Sequence, residues 1–295
     1  MKKFYDSIGY LTKWCSFNKV DINWKKSEIM FITNKQNITI PEFINISGNN
    51  VKVVTEFKLL GIIIDNKLNF KSNTAKIKRS INIRLYSIQK LFQLPLAVKI
   101  QFLKTFILPY FDYCATLCIY YSKSILQKLA NSYNNCIFKL INVKSVHDSI
   151  INSSEDFNKW NTLLEQYGLN GFQHRLIIRL ATYIQKIFCY SNSPSNLANC
   201  FILNNDLNKS YNLRNLLELK IPDKGKYNDY GEDTFEYFFS KFINLVINEI
   251  IHFRFGKYKK YIKENSNILH LKTIRNSNRF DLNFKIYYIS KNKNT

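Results

Sequence analysis

Acidic residues are scarce in this sequence, and so are the residues of common catalytic and metal-binding motifs. The 295 residues include 21 Asp and Glu against 43 Lys and Arg, which leaves a net charge of +22. The six cysteines form no CxxC pair and the four histidines are widely spaced, so a zinc finger is disfavoured. Only eight glycines are present, and no phosphate-binding loop, GxSxG or HExxH motif occurs.

Adjacent carboxylates are almost missing as well. They occur at Glu155-Asp156 and at Glu232-Asp233, both in polar stretches, where solvated or helix-capping roles are expected. Two-metal phosphoryl transfer needs convergent carboxylates around the ions, and no local arrangement of that kind stands out. The residues themselves therefore predict no metal site and no cofactor.

The positive charge favours a polyanionic partner, RNA or DNA, bound through its phosphate backbone. A second interpretation stays open, because the chain is rich in Asn, Lys, Ile, Phe and Tyr. These residues have AT-rich codons, so a biased genome could raise the lysine count without selection for binding.

No apolar run opens the chain, so no signal peptide is expected. The apolar segment Thr105–Tyr121 contains Pro109 and Asp112 and is shorter than the ~20 residues of a spanning helix. We expect no membrane partner, an intracellular location in the cytoplasm or nucleus, and reduced thiols. Cys114 and Cys118, four residues apart, are expected to be small buried side chains.

Hydrophobic periodicity predicts an α+β protein that is mainly helical. A first helix is predicted near 5–17, with Leu11 and Trp14 on its inner face. Short β-branched runs between Glu28 and Ile64, the last with Gly61 inside it, predict a small antiparallel meander. From Phe70 onwards the spacing is helical: one apolar stripe is formed by Ile77, Ile81, Leu85, Ile88 and Phe92, and Ile83 interrupts the polar stripe on another face. Further helices are predicted at 97–120, with a kink at Pro109, and at 123–140, 171–190 and 234–253.

Two of these helices have predicted inner faces. That of 123–140 consists of Leu126, Leu129, Ala130, Tyr133 and Ile137. That of 234–253 consists of Phe235, Phe238, Phe239, Phe242, Leu245, Val246 and Phe253.

Three segments resemble, in order and spacing, the region that follows the catalytic aspartates of non-LTR (LINE- or jockey-type) retrotransposon reverse transcriptases. The first is Trp14 to Phe31, similar to the family's W…N.L.(L/I)N..K(S/T)E.M.F, polymerase motif D. The second is Phe57 to Phe70, similar to (Y/F)K.LG..(I/L)D..L.(F/W), the motif E primer-grip hairpin. The third, Phe106 to Cys114, is similar to F..P.(L/I)DYC, and Tyr211 to Asn215 is a weaker match to (Y/H).(T/L)RN.

The resemblance implies a palm remnant over 1–70, a thumb-like helical domain over 71–143 and a helical C-terminal region over 144–295. No segment matches the family's two aspartate motifs; in the family's order they would lie upstream of Met1. The chain alone is therefore expected to bind nucleic acid without polymerising DNA, and Mg²⁺ is implied only for an intact polymerase.

The resemblance also implies roles for individual residues. Lys26 matches the motif D lysine that acts as a general acid, and without metals and nucleotide it would be a relic or a phosphate contact. Lys58 belongs to the hairpin that contacts the primer. A further set of basic residues would lie along a duplex backbone from the thumb-like helix, where contacts sense charge and shape rather than sequence. These are Lys76, Lys78, Arg79, Arg84 and Lys90.

Two alternatives remain beside this interpretation. One is a host-adopted protein-interaction module of helical type, and the other is an incomplete gene model of an active reverse transcriptase. The palm-like strands lack the strands that carry the aspartates, so an open sheet edge is expected to invite pairing with another chain. For the same reason the first 70 residues are expected to be the least stable part.

Overall fold

A computed structural model of the chain describes residues 2–33, 37–89, 93–141, 163–189, 193–202, 219–222 and 235–246. The chain forms two compact units, 1–76 and 77–295, and each is described by itself. The described residues are mainly helical with small sheets, which is the α+β composition expected from the sequence. The predicted domain boundary after 143 falls outside the described residues, and the predicted division into three parts stays a prediction.

The first unit begins with helix α1, Lys2–Phe17. Its inner face carries Phe4 and Ile8, which pack on the apolar face of the sheet, and Cys15 is also buried. Leu11 and Trp14, expected on that face, are exposed. The expectation was wrong because α1 has apolar residues on more than one side, and only packing against the sheet decides which side is buried.

A three-stranded sheet follows, formed by β1 (Glu28–Ile29), β2 (Phe43–Ile46) and β3 (Asn49–Val53) in the order β1-β3-β2. β2 and β3 are antiparallel, and the turn between them has positive φ at Ser47 and Gly48, as a type I′ hairpin turn requires. β1 pairs with β3 in parallel. The predicted antiparallel sheet is therefore wrong in part, because β1 pairs with the edge of β3 that the β2–β3 hairpin leaves open and runs parallel to it.

The next two strands form a separate antiparallel hairpin, β4 (Glu56–Leu59) and β5 (Ile62–Asp65). Leu60 and Gly61 form its two-residue turn, with φ values of 45° and 88°. The apolar run from Leu59 to Ile64, predicted with Gly61 inside it as part of the meander, therefore contains a chain reversal. The motif E resemblance, by contrast, implied a hairpin at this place.

Helix α2, Lys71–Gln89, follows the hairpin. Its apolar stripe is buried at Ile81, Leu85 and Ile88, as the four- and three-residue spacing predicted. Phe92, the last residue of that predicted stripe, lies outside the described residues.

The single helix predicted over 97–120 is instead a series of short helical pieces. α3 (Leu96–Phe102) runs into a π-helical turn, Leu103–Ile107, and then into α4 (Pro109–Asp112). Cys114 has a left-handed φ of 52° and precedes a 3₁₀ helix, Ala115–Tyr120. The wider π turn precedes the proline, whose ring excludes regular α-helical hydrogen bonding, and the left-handed residue ends α4.

The second unit also contains α5 (Lys123–Ile141), α6 (Phe172–Cys189), α7 (Ser195–Ala198) and α8 (Phe235–Val246). Their bounds match the predicted helices at 123–140 and 171–190, and α8 covers the start of the one predicted at 234–253. The α5 residues predicted to point inward are all buried: Leu126, Leu129, Ala130, Tyr133 and Ile137.

Ile and Leu make up most of the core of the second unit, and clusters of aromatic rings lie among them. Phe111, Tyr133 and Phe172 meet with ring centroids 5.2 to 6.1 Å apart. A second cluster joins α6 to α8 and includes Phe239 and Phe242, two of the inward residues predicted for the last helix. Burial of these rings, together with that of the aliphatic residues around them, stabilises this unit.

Candidate nucleic-acid interface

Helix α2 is the element on which the predicted phosphate contacts concentrate. Its 19 residues contain no Asp or Glu. The basic residues are Lys71, Lys76, Lys78, Arg79 and Arg84. Because no acid within the helix offsets them, α2 carries a positive field along its length, and a polyanion is the partner that such a field attracts.

The start of α2 is fixed by the buried carboxylate of Asp65, which is 7% exposed. The backbone N–H groups of Lys67 and Asn69 donate to its Oδ1, each at 3.0 Å, and that of Phe70 donates to its Oδ2 at 2.6 Å. These bonds hold Leu68 and Phe70 in left-handed conformations, with φ values of 52° and 56°. Asp65, the aspartate of the motif E-like segment, thus has a structural role: it orders the turn from which α2 begins.

Two of the predicted contacts already have partners within the protein. The Lys76 ammonium donates a hydrogen bond to the Gly61 carbonyl at the hairpin turn. The Arg84 guanidinium donates to the Ser80 carbonyl at 3.0 Å and lies 4.4 Å from the centroid of the Tyr110 ring. Part of the hydrogen-bonding capacity of both side chains is therefore used to hold the fold, and a phosphate would have to share it.

Lys78 and Arg79 differ from that pair. Arg79 is exposed and Lys78 is half-buried, and the structure records no ion pair or hydrogen bond for either side chain with another described residue. Arg79 shares its face with Ile83 and Tyr86, four and seven residues further on, and both are exposed. The solvent face of α2 is thus a charged and apolar mixture rather than a uniformly polar stripe, as the position of Ile83 in the sequence indicated.

The other predicted residues are distributed elsewhere. Lys58 is exposed on β4, in the first unit. Lys26 is exposed at the end of a 3₁₀ turn, Trp24–Lys26, where its backbone N–H donates to the Asn23 side chain at 3.2 Å. Lys90 lies outside the described residues. Lys78 and Arg79 therefore lie on one helix, in its part that belongs to the second unit, whereas Lys26 and Lys58 belong to elements of the first unit.

One charged cluster was not predicted from the sequence. Arg175 of α6 binds Asp112 of α4 through two hydrogen bonds, Nε to Oδ1 at 2.7 Å and a terminal nitrogen to Oδ2 at 2.5 Å. Arg179, one helical turn further on, also donates to Oδ2. The signal in the sequence was a lone aspartate within an apolar run, together with two arginines four residues apart on a predicted helix.

This ion cluster stabilises the fold rather than forming a ligand site. Asp112 is only 13% exposed, and both of its oxygens accept from arginines. Such a bidentate pair is the strong form of a salt bridge because two parallel hydrogen bonds fix its geometry. It ties the short helix α4 to α6.

The cysteines and the described histidine show how burial acts on ionisable groups in the second unit. Desolvation raises the pKa of the Cys118 thiol to about 12 and lowers that of the His174 imidazole to about 4. Cys118 is buried as predicted, but Cys114 is exposed. That expectation was wrong because the left-handed backbone at Cys114 removes it from the helical face it was thought to share with Cys118.

Within the described ranges, no three His, Cys, Asp or Glu side chains lie close enough together to hold a metal ion. Among the helices that the structure describes, none is long and apolar enough to cross a membrane. Comparisons of the chain with protein-family models, with curated proteins and with solved structures find no match. Any assignment of function therefore has to rest on the residues themselves.

Proposed function

We propose that this chain derives from the C-terminal part of a non-LTR retrotransposon reverse transcriptase, and that it binds RNA or DNA duplexes through α2 without polymerising DNA by itself. The observation on which the binding proposal depends is the charge of α2: five basic residues and no acid in 19 residues. The ordered motif-like segments around Trp14, Phe57 and Phe106 support the proposed origin.

Lys78 and Arg79 are proposed as the main phosphate contacts, since Lys76 and Arg84 are engaged within the protein. Lys58, on β4 of the first unit, is proposed separately as a backbone contact. Contacts of this type depend on charge and on the shape of the duplex, so little sequence preference is expected. Lys26 remains a proposed phosphate contact without a catalytic role, because no matched aspartates would hold metal ions for it.

The binding proposal is tested by the salt dependence of affinity for a labelled 20-base-pair RNA–DNA hybrid, measured by fluorescence anisotropy. Each lost phosphate contact should reduce the slope of log K against log salt by about 0.9. The double variant Lys78→Gln/Arg79→Gln should therefore reduce that slope by about 1.8. The matched control is Lys128→Gln/Lys139→Gln, which removes the same charge from exposed positions of α5.

Two results would contradict the binding proposal. Equal losses in both double variants would mean that binding follows net charge and not α2. An affinity that hardly changes with salt would mean that phosphates are not contacted. The proposal of inactivity is tested by primer extension on a primed RNA template with Mg²⁺ or Mn²⁺, and incorporation of nucleotides by the pure protein would overturn it.

A protein-interaction module is the second candidate. It is favoured by the exposed apolar side chains of Ile83 and Tyr86, which lie on the same face of α2 as Arg79. It is favoured too by the edge strands β1 and β2, each of which pairs with β3 alone among the described strands. Pull-down of a partner protein in high salt, without nucleic acid and abolished by Ile83→Gln, would support it.

A further inference from the structure

The outer face of α1 is lined by three aromatic side chains that the fold leaves in solvent. Tyr10, Trp14 and Phe17 are 76%, 59% and 87% exposed. Their spacing of four and then three residues places them on one side of the helix. That side lies opposite the Phe4 and Ile8 face that packs on the sheet. We refer to Tyr10, Trp14 and Phe17 as the α1 aromatic face.

These rings have no ring contact with another described residue, although α1 does contain such a pair in Phe4 and Tyr5. Single exposed apolar residues are ordinary, but a line of three large rings on one helix face indicates a binding surface. The planar faces of the rings are accessible, so a ligand with planar groups of its own could stack on them.

The surroundings of the α1 aromatic face are basic. Lys3, Lys13 and Lys19 are all exposed, against one exposed acid in α1, Asp6, which lies four residues before Tyr10 on the same side of the helix. Lys3 lies seven residues before Tyr10 and Lys13 lies directly before Trp14, so both lysines flank the line of rings on the helix surface. A ligand that complements both the exposed rings and the lysines is a polyanion that carries planar rings of its own.

We propose that the α1 aromatic face binds single-stranded nucleic acid, with bases stacked on Tyr10, Trp14 and Phe17 and phosphates contacted by the flanking lysines. Aromatic residues within a basic surface are the usual platform for single strands, because every base has a π face. In a duplex the bases stack on each other, so this face would not take one. The proposal shares with the proposed function only the premise that the partner is a nucleic acid.

The dimensions of the face agree with a short binding site. Seven residues separate Tyr10 from Phe17, which corresponds to about 10 Å along the helix axis. At ~3.4 Å per nucleotide, three stacked nucleotides span a similar length. A membrane surface fits less well, because an interfacial helix inserts a broad apolar face and the broad face of α1 is already packed on the sheet.

The experiment uses the full chain with Trp24→Phe and Trp160→Phe, so that Trp14 is the only tryptophan. Titration with a 15-nucleotide oligo(dT) should quench Trp14 fluorescence as bases stack on the indole. A second protein carries Tyr10→Leu, Trp14→Leu and Phe17→Leu, and its binding is measured by anisotropy of labelled oligo(dT). Leucine keeps the apolar character and the helix propensity but removes the π faces.

The leucine variant should bind oligo(dT) at least about 100-fold more weakly, since each of the three lost stacking partners weakens binding by at least about 5-fold. Its affinity for the 20-base-pair hybrid should change less than about 2-fold, which also shows that the protein is folded. Unchanged oligo(dT) affinity in the leucine variant would overturn the proposal. So would a Trp14 blue shift on phosphatidylserine vesicles without quenching by oligo(dT), because the surface would then be a membrane site.

The two proposals can fail separately. Loss of hybrid binding in Lys78→Gln/Arg79→Gln with oligo(dT) binding retained supports both. Binding of the hybrid by wild-type protein without any binding of oligo(dT) would overturn this inference and leave the α2 proposal intact. The reverse result would support this inference and overturn duplex binding by α2.

Discussion

Replacement of Asp65 should destabilise the first unit. The size of the loss follows from the hydrogen bonds that the Asp65 carboxylate accepts. In Asp65→Asn the amide keeps one acceptor oxygen for Lys67 and Asn69, but its NH₂ group faces the Phe70 N–H that now donates at 2.6 Å. A hydrogen bond to a charged group contributes about 1.5–3 kcal/mol. We therefore expect a loss of about 2 kcal/mol in the free energy of unfolding.

Asp65→Ala should cost more, because it removes the acceptor of all three N–H groups, that of Phe70 being buried, and no longer supports the left-handed Leu68 and Phe70. We expect about 4 kcal/mol, a large part of the 5–15 kcal/mol that stabilises an ordinary domain. The measurement is urea unfolding of a Trp160→Phe background followed by tryptophan fluorescence, which reports on the first unit through Trp24, a partly buried residue that packs against its core.

The matched control is Asp21→Asn, which makes the same change of charge at an exposed aspartate of the same unit. Its effect should stay below about 0.5 kcal/mol, as for most surface substitutions. If Asp65→Asn also falls within about 0.5 kcal/mol of wild type, the carboxylate does not hold the turn and the structural role given to it is wrong. A large effect of the control would point to net charge instead.

Three further predictions concern the second unit. Asp112→Asn should lower the free energy of unfolding of this unit by about 3 kcal/mol, because the largely buried charge of Arg175 then lacks a carboxylate partner. Chemical denaturation followed by circular dichroism measures the change, and a loss below about 1 kcal/mol would refute the prediction. Burial lowers the pKa of His174 from 6.5 to about 4, so the unfolded chain binds more protons between these values. The free energy of unfolding is therefore highest above pH 6.5, where the imidazole is neutral in both states, and falls by about 3 kcal/mol as the pH decreases towards 4. His174→Gln should flatten the pH dependence of the free energy of unfolding in this window. An unchanged pH dependence in the variant would refute the prediction. Burial raises the pKa of Cys118 to about 12, so Cys118 should resist iodoacetamide at pH 8 while the exposed Cys114 reacts. Peptide mapping of the labelled native protein measures the two reactions. Equal labelling of both cysteines would refute the burial of Cys118.

Helical spacing predicted much of the second unit because burial follows the period of a regular helix. The stripe of Ile81, Leu85 and Ile88 and the inner face of α5 around Tyr133 were both found as expected. Breaks in a helix were harder to predict. Cys114 adopts a left-handed conformation that its residue type does not favour, so nothing local announced the end of α4.

The first unit shows the same limit for strands. Leu60 occupies a turn position with a positive φ, where sequence rules expect Asn, Asp or Gly. The apolar run from Leu59 to Ile64 therefore contained no polar turn residue that would have predicted the hairpin. The parallel pairing of β1 with β3 joins segments more than 20 residues apart, and such pairing depends on which edge is left free, not on local preference.

The candidate site was predicted only in part. The charge of α2 was visible in the sequence, but the partners of Lys76 and Arg84 were not, because Gly61 and Tyr110 are distant along the chain. The exposure of the α1 aromatic face was also not predicted from the sequence. Trp14 was expected to be buried, and only the position of the sheet against Phe4 and Ile8 decides otherwise.

The arrangement of two arginines around one aspartate has a consequence for how the sequence can drift. Loss of Arg179 leaves the two Arg175 hydrogen bonds to Asp112 in place, and loss of Arg175 leaves a guanidinium one helical turn away. Loss of Asp112 has no such substitute. Over many generations either arginine position should therefore accept neutral replacements one at a time, while the aspartate stays constrained until both arginines have changed.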